Sequence, residues 1–381
     1  MSLPLEGVLI VDFSQFLAGP YASLRLQDLG ARVIKIENPD GGDLCRQIYL
    51  SPQMMEQEST LFHSINRGKE SLTLDLKSQC GLADAKALIT HADVVIQNFR
   101  PGVIQKLGLG YDVVSQIKPS VVYGSVSGFG TDGPWANLPG QDLLAQARSG
   151  LMWLSGNCDD GPVPVGLPLA DILAGANLAH GLLAGLYKQA TQGIGSLVET
   201  SLLESLVDAQ FEFLTTYINS DHQMPQRLSD GSAHGYLEAP YGVYKTLDGQ
   251  LALAMSSLSS LAVALESREL GQLAQTPRAG FSQRERIREI VAQKLMANTA
   301  RAWEELLSVT GIWCARILDW PELMVSDTFK KLQMTSTMGQ DDLAQTLMRS
   351  PLRVDGRRPE AVSLGPTLNQ NGDDLRREFD L

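Results

Sequence analysis

The sequence predicts an α/β protein in which helices cover both faces of a parallel sheet. Short apolar runs rich in β-branched residues alternate with helical stretches along roughly the first third of the chain. Loops rich in Gly and Pro separate these runs, and longer helices follow them. The chain has 381 residues, of which 44% are hydrophobic and 19% charged. This length and composition indicate a globular protein with two domains or one large one.

The first elements form a predicted βαβ unit. The run 8–13 is apolar, lies between Gly7 and a polar pair of residues, and predicts a buried strand. A helix is predicted over 21–29, ending at Gly30, and a second strand over 32–37. The same alternation then predicts a helix over 81–91 and strands over 93–97 and 121–125.

After residue 134 the pattern changes to long helices, which we predict over 141–154, 171–189 and 201–220. The polar, Gly-bearing segment 229–236 indicates a domain boundary. Beyond it we predict a hairpin over 241–255 with its turn at 247–250, and helices over 284–296 and 299–310.

Charge and cysteine usage limit the partners and the compartment. The formal net charge of −12 argues against binding to nucleic acid or an anionic membrane, although a local basic pocket can still bind one phosphorylated small molecule. The four cysteines are far apart and predict free thiols in a reducing compartment. The N-terminal segment lacks the features of a signal peptide, and the apolar stretch 169–187 contains three polar residues, as expected of a buried helix. We therefore expect a cytoplasmic protein.

The sequence lacks the motifs of several common classes of enzyme and binding protein. The first βα loop has Gly19 but not the other glycines of a dinucleotide fingerprint, and no ATP-binding P-loop is present. The five histidines form no i, i+4 pair, so we predict no metal site and no tightly bound cofactor. The serine-hydrolase motif fails because Val126 stands in the place of the nucleophile.

Asp171 is the carboxylate of most interest, because it opens an apolar helix. One interpretation is a helix N-cap, for which Asp is a preferred residue. The other is a nucleophile that the helix dipole keeps ionised while apolar neighbours strip its water, so that it attacks an activated carbonyl. Spacing alone leaves both open. Six basic residues of the N-terminal half have two possible roles, as part of a solvated surface or as a phosphate pocket at the strand ends. These residues are Lys35, Arg67, Lys69, Lys77, Arg100 and Lys106.

A series of short motifs resembles the family III CoA-transferases, the CaiB/BaiF group, which also contains α-methylacyl-CoA racemases and formyl-CoA transferase. In chain order these motifs are PLEGV at 4–8, LAGP at 17–20, GARVIKIE at 30–37, NRGKES at 66–71, LDLK at 74–77, NFRPG at 98–102 and SGFG at 127–130. The resemblance covers nearly the whole chain and is densest before residue 190.

The resemblance implies a Rossmann-like large domain with a parallel sheet, a smaller α+β domain and an interlocked, ring-like homodimer. The corresponding limits are 1–224 for the large domain with the catalytic Asp, 225–325 for the small domain and 326–381 for a return to the large one. It also implies transfer of CoA from an acyl-CoA donor to a free carboxylic acid, with Asp171 forming a covalent aspartyl intermediate. CoA contacts would fall on Leu74, Lys77, Asn98, Phe99, Arg100 and Lys106.

Departures from the family pattern argue against some of the reactions and substrates known in the family. Gln141 stands where the racemases have a His, and a racemase needs two acid/base groups around the α-carbon. Formyl-CoA transferase has a Gln at the position of Leu17, a basic residue at that of Asn38 and a glycine-rich loop at that of 256–260, which argues against formate or oxalate as the substrate. Two alternatives to a transferase remain, an acyl-CoA racemase or epimerase and a CoA-binding protein without turnover.

Overall fold

The computed structural model of the chain describes residues 3–48, 54–55, 58–338, 345–360 and 363–381. The strands are β1 (Leu9–Asp12), β2 (Arg32–Glu37), β3 (Met54–Met55), β4 (Glu58–Ser59), β5 (Glu70–Thr73), β6 (Val94–Gln97), β7 (Val122–Ser127), β8 (Ser196–Ser201), β9 (Gly242–Lys245), β10 (Gln250–Leu253), β11 (Cys314–Arg316), β12 (Thr335–Met338) and β13 (Gln345–Met348).

The helices are α1 (Ala18–Gln27), α2 (Thr60–Asn66), α3 (Gln79–Ile89), α4 (Val103–Lys106), α5 (Tyr111–Ile117), α6 (Asp142–Arg148), α7 (Leu151–Leu154), α8 (Leu169–Gln192), α9 (Leu202–Ala209), α10 (Phe211–Asn219), α11 (Leu258–Ala264), α12 (Arg268–Leu273), α13 (Ala279–Ser282), α14 (Arg284–Leu295), α15 (Ala300–Val309), α16 (Trp320–Val325), α17 (Asp327–Leu332) and α18 (Gly372–Phe379). A 3₁₀ helix covers Leu44–Gln47.

The chain divides into two compact units, each described here by itself. The first consists of Met1–Ser149, Gly166–Ala209 and Lys330–Leu381, and the second of Gly150–Val165 and Gln210–Phe329. The domain limits 1–224, 225–325 and 326–381 stay a prediction.

The first unit contains a six-stranded sheet in the order β5-β2-β1-β6-β7-β8, and every pair in it is parallel. The predicted parallel sheet is therefore confirmed. The chain runs from β1 outward to β5, then returns to β6 beside β1 and runs outward in the other direction. The switch between β1 and β6 leaves a crevice at the carboxyl ends of these strands, where open α/β sheets bind ligands.

Helices pack on both faces of this sheet, which explains why its central strands are nearly continuous apolar runs. On one face α1 and α8 pack together, and α8 also lies against β7 and β8. On the other face side chains of α3, α5 and α18 join those of the strands in one core, including Val11, Ile34, Leu72, Leu88, Val114 and Leu375. The carboxyl edge of the sheet is thus held rigidly between two helical layers.

α8 is the longest described helix, with 24 residues from Leu169 to Gln192. It ends at Gly193, whose φ of 69° is the left-handed conformation that terminates helices. By length and composition alone this helix could cross a membrane. In the structure this helix packs against α1, β7 and β8, and eight of its Ala, Gly and Leu residues are buried.

The second unit contains a three-stranded antiparallel sheet in the order β11-β10-β9. The predicted hairpin over 241–255 is confirmed as β9 and β10, joined by a turn at 246–249. Helices α11 to α15 surround a core that includes Tyr244, Leu251 and Trp303. The indole N–H of Trp303 donates to the Leu295 carbonyl at 2.7 Å, which satisfies a buried polar group.

Two of the predicted long helices are interrupted in the structure. The stretch 141–154 forms α6 and α7, because Gly150 between them has a φ of 85°. The stretch 201–220 forms α9 and α10, with Gln210 between them outside helical geometry. Both breaks coincide with limits of the compact units.

Candidate active site

Asp171 lies in the first turn of α8, two residues after the helix begins at Leu169. The N-cap interpretation was therefore wrong, since Pro168 occupies that position. The Asp171 carboxyl is half-buried. It stands near the positive end of a long helix dipole without serving as the cap of that helix.

The capping of α8 comes instead from Asp142, the first residue of α6. Its Oδ1 accepts a hydrogen bond from the main-chain N–H of Asp171 at 3.1 Å. The buried side chain of Gln146, one turn later in α6, donates to the other Asp142 oxygen at 2.6 Å and to the Leu167 carbonyl at 3.2 Å. The starts of two helices thus bring two carboxyl groups together, and Gln146 fixes their arrangement.

This surrounding changes the acidity of Asp171. Burial, and then the negative charge of Asp142, raise the pKa of the Asp171 carboxyl to about 7. The sequence had suggested an ionised carboxylate held by the helix dipole, but desolvation outweighs the dipole here. A carboxyl with so raised a pKa still ionises near neutral pH, and its carboxylate is then poorly hydrated. A carboxylate in this condition is a better nucleophile than one fully solvated by water.

Close packing of α8 on α1 places Asp171 at the carboxyl edge of the sheet. A Cβ on Gly175 would lie 2.5 Å from the Ala18 carbonyl oxygen and 3.0 Å from the Tyr21 ring, so only glycine permits this approach. Asp171 is four residues before Gly175, on the same face of α8 and about 6 Å nearer the helix start. It therefore lies towards the loop that connects β1 with α1, at the switch point of the sheet.

The CoA contacts predicted from the resemblance fall on two parts of this edge. Leu74 and Lys77 follow β5, whereas Asn98, Phe99 and Arg100 follow β6, with Lys106 at the end of α4. In the sheet order β2 and β1 stand between β5 and β6, so about 14 Å separates the two groups. A ligand that contacts both must be extended along the edge.

These predicted side chains differ in how free they are to meet a ligand. Lys77, Arg100 and Lys106 are exposed. Leu74 is only 3% exposed and belongs to the core of the first unit, so a contact there involves its main chain. Phe99 is half-buried against the same core. The Asn98 amide holds the main chain of Gln15, accepting from its N–H at 2.8 Å and donating to its carbonyl at 2.7 Å.

The segment 129–139 between β7 and α6 is a closed loop beside Asp142. Its ends meet at Gly128 and Gly140, where a Cβ on Gly128 would lie 2.5 Å from the Gly140 Cα. Inside the loop the Phe129 and Trp135 rings pack edge to face at 6.2 Å, and the Arg148 guanidinium lies 4.6 Å from the centre of the Trp135 ring. The loop is packed by its own side chains, as Ω-loops are.

The segment 256–260, which stands where formyl-CoA transferase has a glycine-rich loop, and Trp153 belong to the second unit. Ser257 is the N-cap of α11, and its hydroxyl accepts from the Ser260 N–H at 3.4 Å. These serines therefore form the start of a helix. Trp153 is largely exposed, with the Arg227 guanidinium 5.6 Å from the centre of its ring.

Sequence reasoning overlooked Asp142 and Gln146. The signal was available, because Asp142 opens a helix just after Gly140, and an Asp in that position meets the N-terminus of any helix packed nearby. Gln141, which argued against a racemase, is the exposed N-cap of α6. Among the residues that the structure describes, no group of three His, Cys, Asp or Glu side chains is placed to hold a metal ion.

Comparison with known proteins identifies the class of enzyme. Residues 5–372 match the profile of CoA-transferase family III, and the chain belongs to this family. It is a CoA-transferase, as the sequence predicted. Enzymes of this class use CoA thioesters as substrates.

Relatives span most of the chain. Succinyl-CoA:glutarate CoA-transferase of Mus musculus is 33% identical over 314 residues, which are 81% of this chain and 71% of the mouse protein. Acetyl-CoA:oxalate CoA-transferase of Acetobacter aceti is 29% identical over 99% of this chain and 96% of its own length. The crystal structure of a CaiB/BaiF family protein from Brucella suis superposes with a TM-score of 0.85 at 29% identity, covering 100% of both chains.

Proposed function

We propose that this CoA-transferase moves CoA from an acyl-CoA donor to a free carboxylic acid through a covalent intermediate on Asp171. The observation that carries the proposal is the half-buried Asp171 carboxyl, whose pKa burial and Asp142 raise to about 7 at the carboxyl edge of the sheet. An ionised carboxylate in this place is poorly hydrated, which favours nucleophilic attack.

The first half of the reaction takes CoA from the donor. An Asp171 oxygen attacks the thioester carbonyl carbon, the C–S bond breaks, and the CoA thiolate leaves a mixed anhydride between Asp171 and the donor acyl group. The thiolate then attacks the aspartyl carbonyl carbon. The anhydride C–O bond breaks, the donor acid leaves as its carboxylate, and Asp171 carries CoA as a thioester.

The second half runs these steps in reverse with the acceptor. Its carboxylate attacks the aspartyl thioester and releases the thiolate, which then attacks the acceptor carbonyl and restores the Asp171 carboxylate. No proton is taken up or lost over the cycle. The residues of the site therefore need to position three carboxyl groups and one thiolate, and Gln146 with Asp142 holds the main chain of Asp171 in place for each step.

We further propose that CoA lies along the carboxyl edge of the sheet. Its phosphates would meet the exposed Lys77, Arg100 and Lys106, since cations bind phosphate oxygens by charge-assisted hydrogen bonds. Leu74 would contribute its main chain, and Phe99 an apolar contact. Asn98 would act by holding Gln15, because its amide is already engaged.

We also propose an interlocked cytoplasmic homodimer that binds neither nucleic acid nor membranes. The negative net charge supports the absence of these polyanionic partners. Large apolar side chains are exposed on both units, among them Tyr187, Phe211, Ile218 and Trp320, as expected of surfaces that a second copy covers. Light scattering gives the mass. Two differently tagged preparations, mixed after purification, should fail to exchange subunits if the rings interlock.

The covalent step is tested by intact-protein mass spectrometry after incubation with a panel of acyl-CoAs, including those of dicarboxylic acids because both named relatives act on such acids. We expect a CoA adduct that hydroxylamine converts to a hydroxamate at Asp171. Asp112, in the first turn of α5, is a matched control, since Asp112→Asn should retain the adduct and Asp171→Asn should lose it. An adduct on another residue, or turnover by Asp171→Asn, would contradict the proposal.

A further inference from the structure

The loop that connects β1 with α1, residues 13–17, has four of its main-chain polar groups bound by side chains from other parts of the first unit. Besides Asn98 on Gln15, the Lys35 ammonium donates to the Ser14 carbonyl at 2.8 Å. Asp43 Oδ1 accepts from the Phe16 N–H at 3.2 Å. These bonds fix the course of the loop, and the Phe16 side chain stays exposed on it.

Four buried charged residues lie behind the loop, namely Asp12, Lys35, Asp43 and Lys69, which we call the charge cluster. Lys35 Nζ lies 2.8 Å from Asp43 Oδ2, and Lys69 Nζ lies 3.4 Å from Asp12 Oδ2. Asp12 also accepts hydrogen bonds from the N–H and hydroxyl of Ser14. Three members of the charge cluster therefore bind the loop directly.

Two members of the charge cluster, Asp12 and Lys35, keep their charge despite burial, whereas burial lowers the pKa of the Lys69 ammonium to about 8. Burial would raise the pKa of the Asp12 carboxyl, but Lys69 and Lys35 hold it below its usual value. Burial likewise opposes the charge of Lys35, but Asp43 and Asp12 raise the pKa of its ammonium. Buried ion pairs of this kind add little net stability compared with apolar residues of the same size, so stability alone does not explain them.

Phe16 shows what the charge cluster holds in place. Its φ is 63°, a left-handed conformation that a bulky residue adopts only when its surroundings impose it. Its side chain is 42% exposed, although an aromatic ring gains most when buried. An exposed ring on a strained main chain, at the switch point and on the side towards which Asp171 lies, is costly for folding and is explained by a ligand.

We propose that the charge cluster is a positioning device for catalysis, in which Lys35 and Asp43 hold the loop 13–17 so that Phe16 and Leu17 form an apolar wall for the acyl-CoA beside Asp171. The inference rests on the proposed function, since it takes Asp171 as the nucleophile. Lys35 and Asp43 are positioning residues that act through the loop. Phe16 is the side chain that touches the substrate.

The test compares Asp43→Asn with Asp28→Asn. Asp28 is also a buried carboxylate in an ion pair, 2.6 Å from Arg67, but it follows the opposite end of α1. We expect both variants to lose similar thermal stability. Asp43→Asn should lower kcat for CoA transfer by about 10 to 100-fold with a smaller change in KM, and it should speed amide exchange in the loop 13–17, whereas Asp28→Asn should leave kcat within about threefold.

Phe16→Ala provides a second variant that is safe for folding because the ring is exposed. It should slow adduct formation from acyl-CoA while leaving the melting temperature unchanged. If Asp43→Asn and Asp28→Asn lower kcat equally, or Phe16→Ala reacts at the wild-type rate, the positioning proposal is wrong. If the wild type forms its adduct at a residue other than Asp171, the proposed nucleophile fails instead, so the two failures are distinguishable.

Discussion

Two groups of carboxylates in the first unit, Asp12 with Asp43 and Asp142 with Asp171, differ in what surrounds them. Asp12 and Asp43 are fully buried, but each has a Lys ammonium within 3.4 Å. Asp171 has another carboxylate, Asp142, as its charged neighbour, and its pKa rises to about 7. Nearby ammonium groups hold the pKa of the Asp12 carboxyl below its usual value, whereas Asp171 has no such partner among the described residues and its ionised form is disfavoured. In our proposals the first two carboxylates position the chain and Asp171 reacts.

The largest expected effect is the loss of transfer on removing the unpaired carboxylate. Asp171→Asn keeps the size of the side chain but not the nucleophile, so kcat should fall by at least about 10³-fold. Steady-state transfer with the best donor and acceptor measures it, with Asp112→Asn as control. If Asp171→Asn retained transfer, Asp171 would not be the nucleophile and would not differ in function from Asp12 and Asp43.

Removing the charge of Asp12, a carboxylate paired with a Lys ammonium, should instead destabilise the fold. Asp12→Asn leaves Lys69 and Lys35 without one buried counter-charge and weakens the hydrogen bonds to Ser14. We expect a loss of about 3–5 kcal/mol in the free energy of unfolding. Urea denaturation measures this, and a loss below about 1 kcal/mol would mean that the Asp12 charge matters little.

Asp171→Asn should have the opposite effect on stability. The pKa of Asp171 is about 7 in the folded state against 3.8 in the unfolded state, so ionising it costs stability as the pH rises from about 4 through 7. This shift corresponds to about 4 kcal/mol, which solvent screening of the half-buried group reduces to about 2 kcal/mol. The variant should therefore melt higher than the wild type at pH 8 and equally at pH 4. Melting curves that coincide at both pH values would argue against a raised pKa.

The smallest expected effect separates the two causes of the raised pKa of Asp171, which are burial and the charge of Asp142. Below pH 7 the rate of adduct formation should fall about tenfold per pH unit as Asp171 becomes protonated. Asp142→Asn removes the neighbouring charge but keeps an oxygen that accepts from the Asp171 N–H. The midpoint of the pH dependence of the adduct-formation rate should therefore shift to lower pH by about half to one pH unit. An unchanged profile would assign the whole shift to burial, which is the larger cause.

The sequence was sufficient for the parallel sheet, because β1, β2, β6 and β7 are apolar runs buried on both faces. It did not reveal β8, whose alternating polar residues are partly exposed at the sheet edge, or β5, which has only four residues. Short edge strands carry too few apolar residues to be distinguished from loops.

The sequence singled out Asp171 as a candidate nucleophile, which stays a prediction, but it did not reveal the surroundings of this residue. Asp171 stood out as an acidic residue at the start of an apolar helix. Its partner Asp142 lies 29 positions away in the sequence, and only the packing of α6 against α8 joins them. Similarly, Leu74 matches a family motif, but whether its side chain meets a ligand or the core depends on burial that the motif does not encode.

The contact between Gly128 and Gly140 also bears on how the family diversifies. Because the chain leaves and re-enters the fold at the same point, residues 129–139 can be lengthened, shortened or replaced without moving Asp142 or the start of α8. Natural variation or directed evolution in this segment can thus change the surface beside Asp142 while the start of α8 keeps its place.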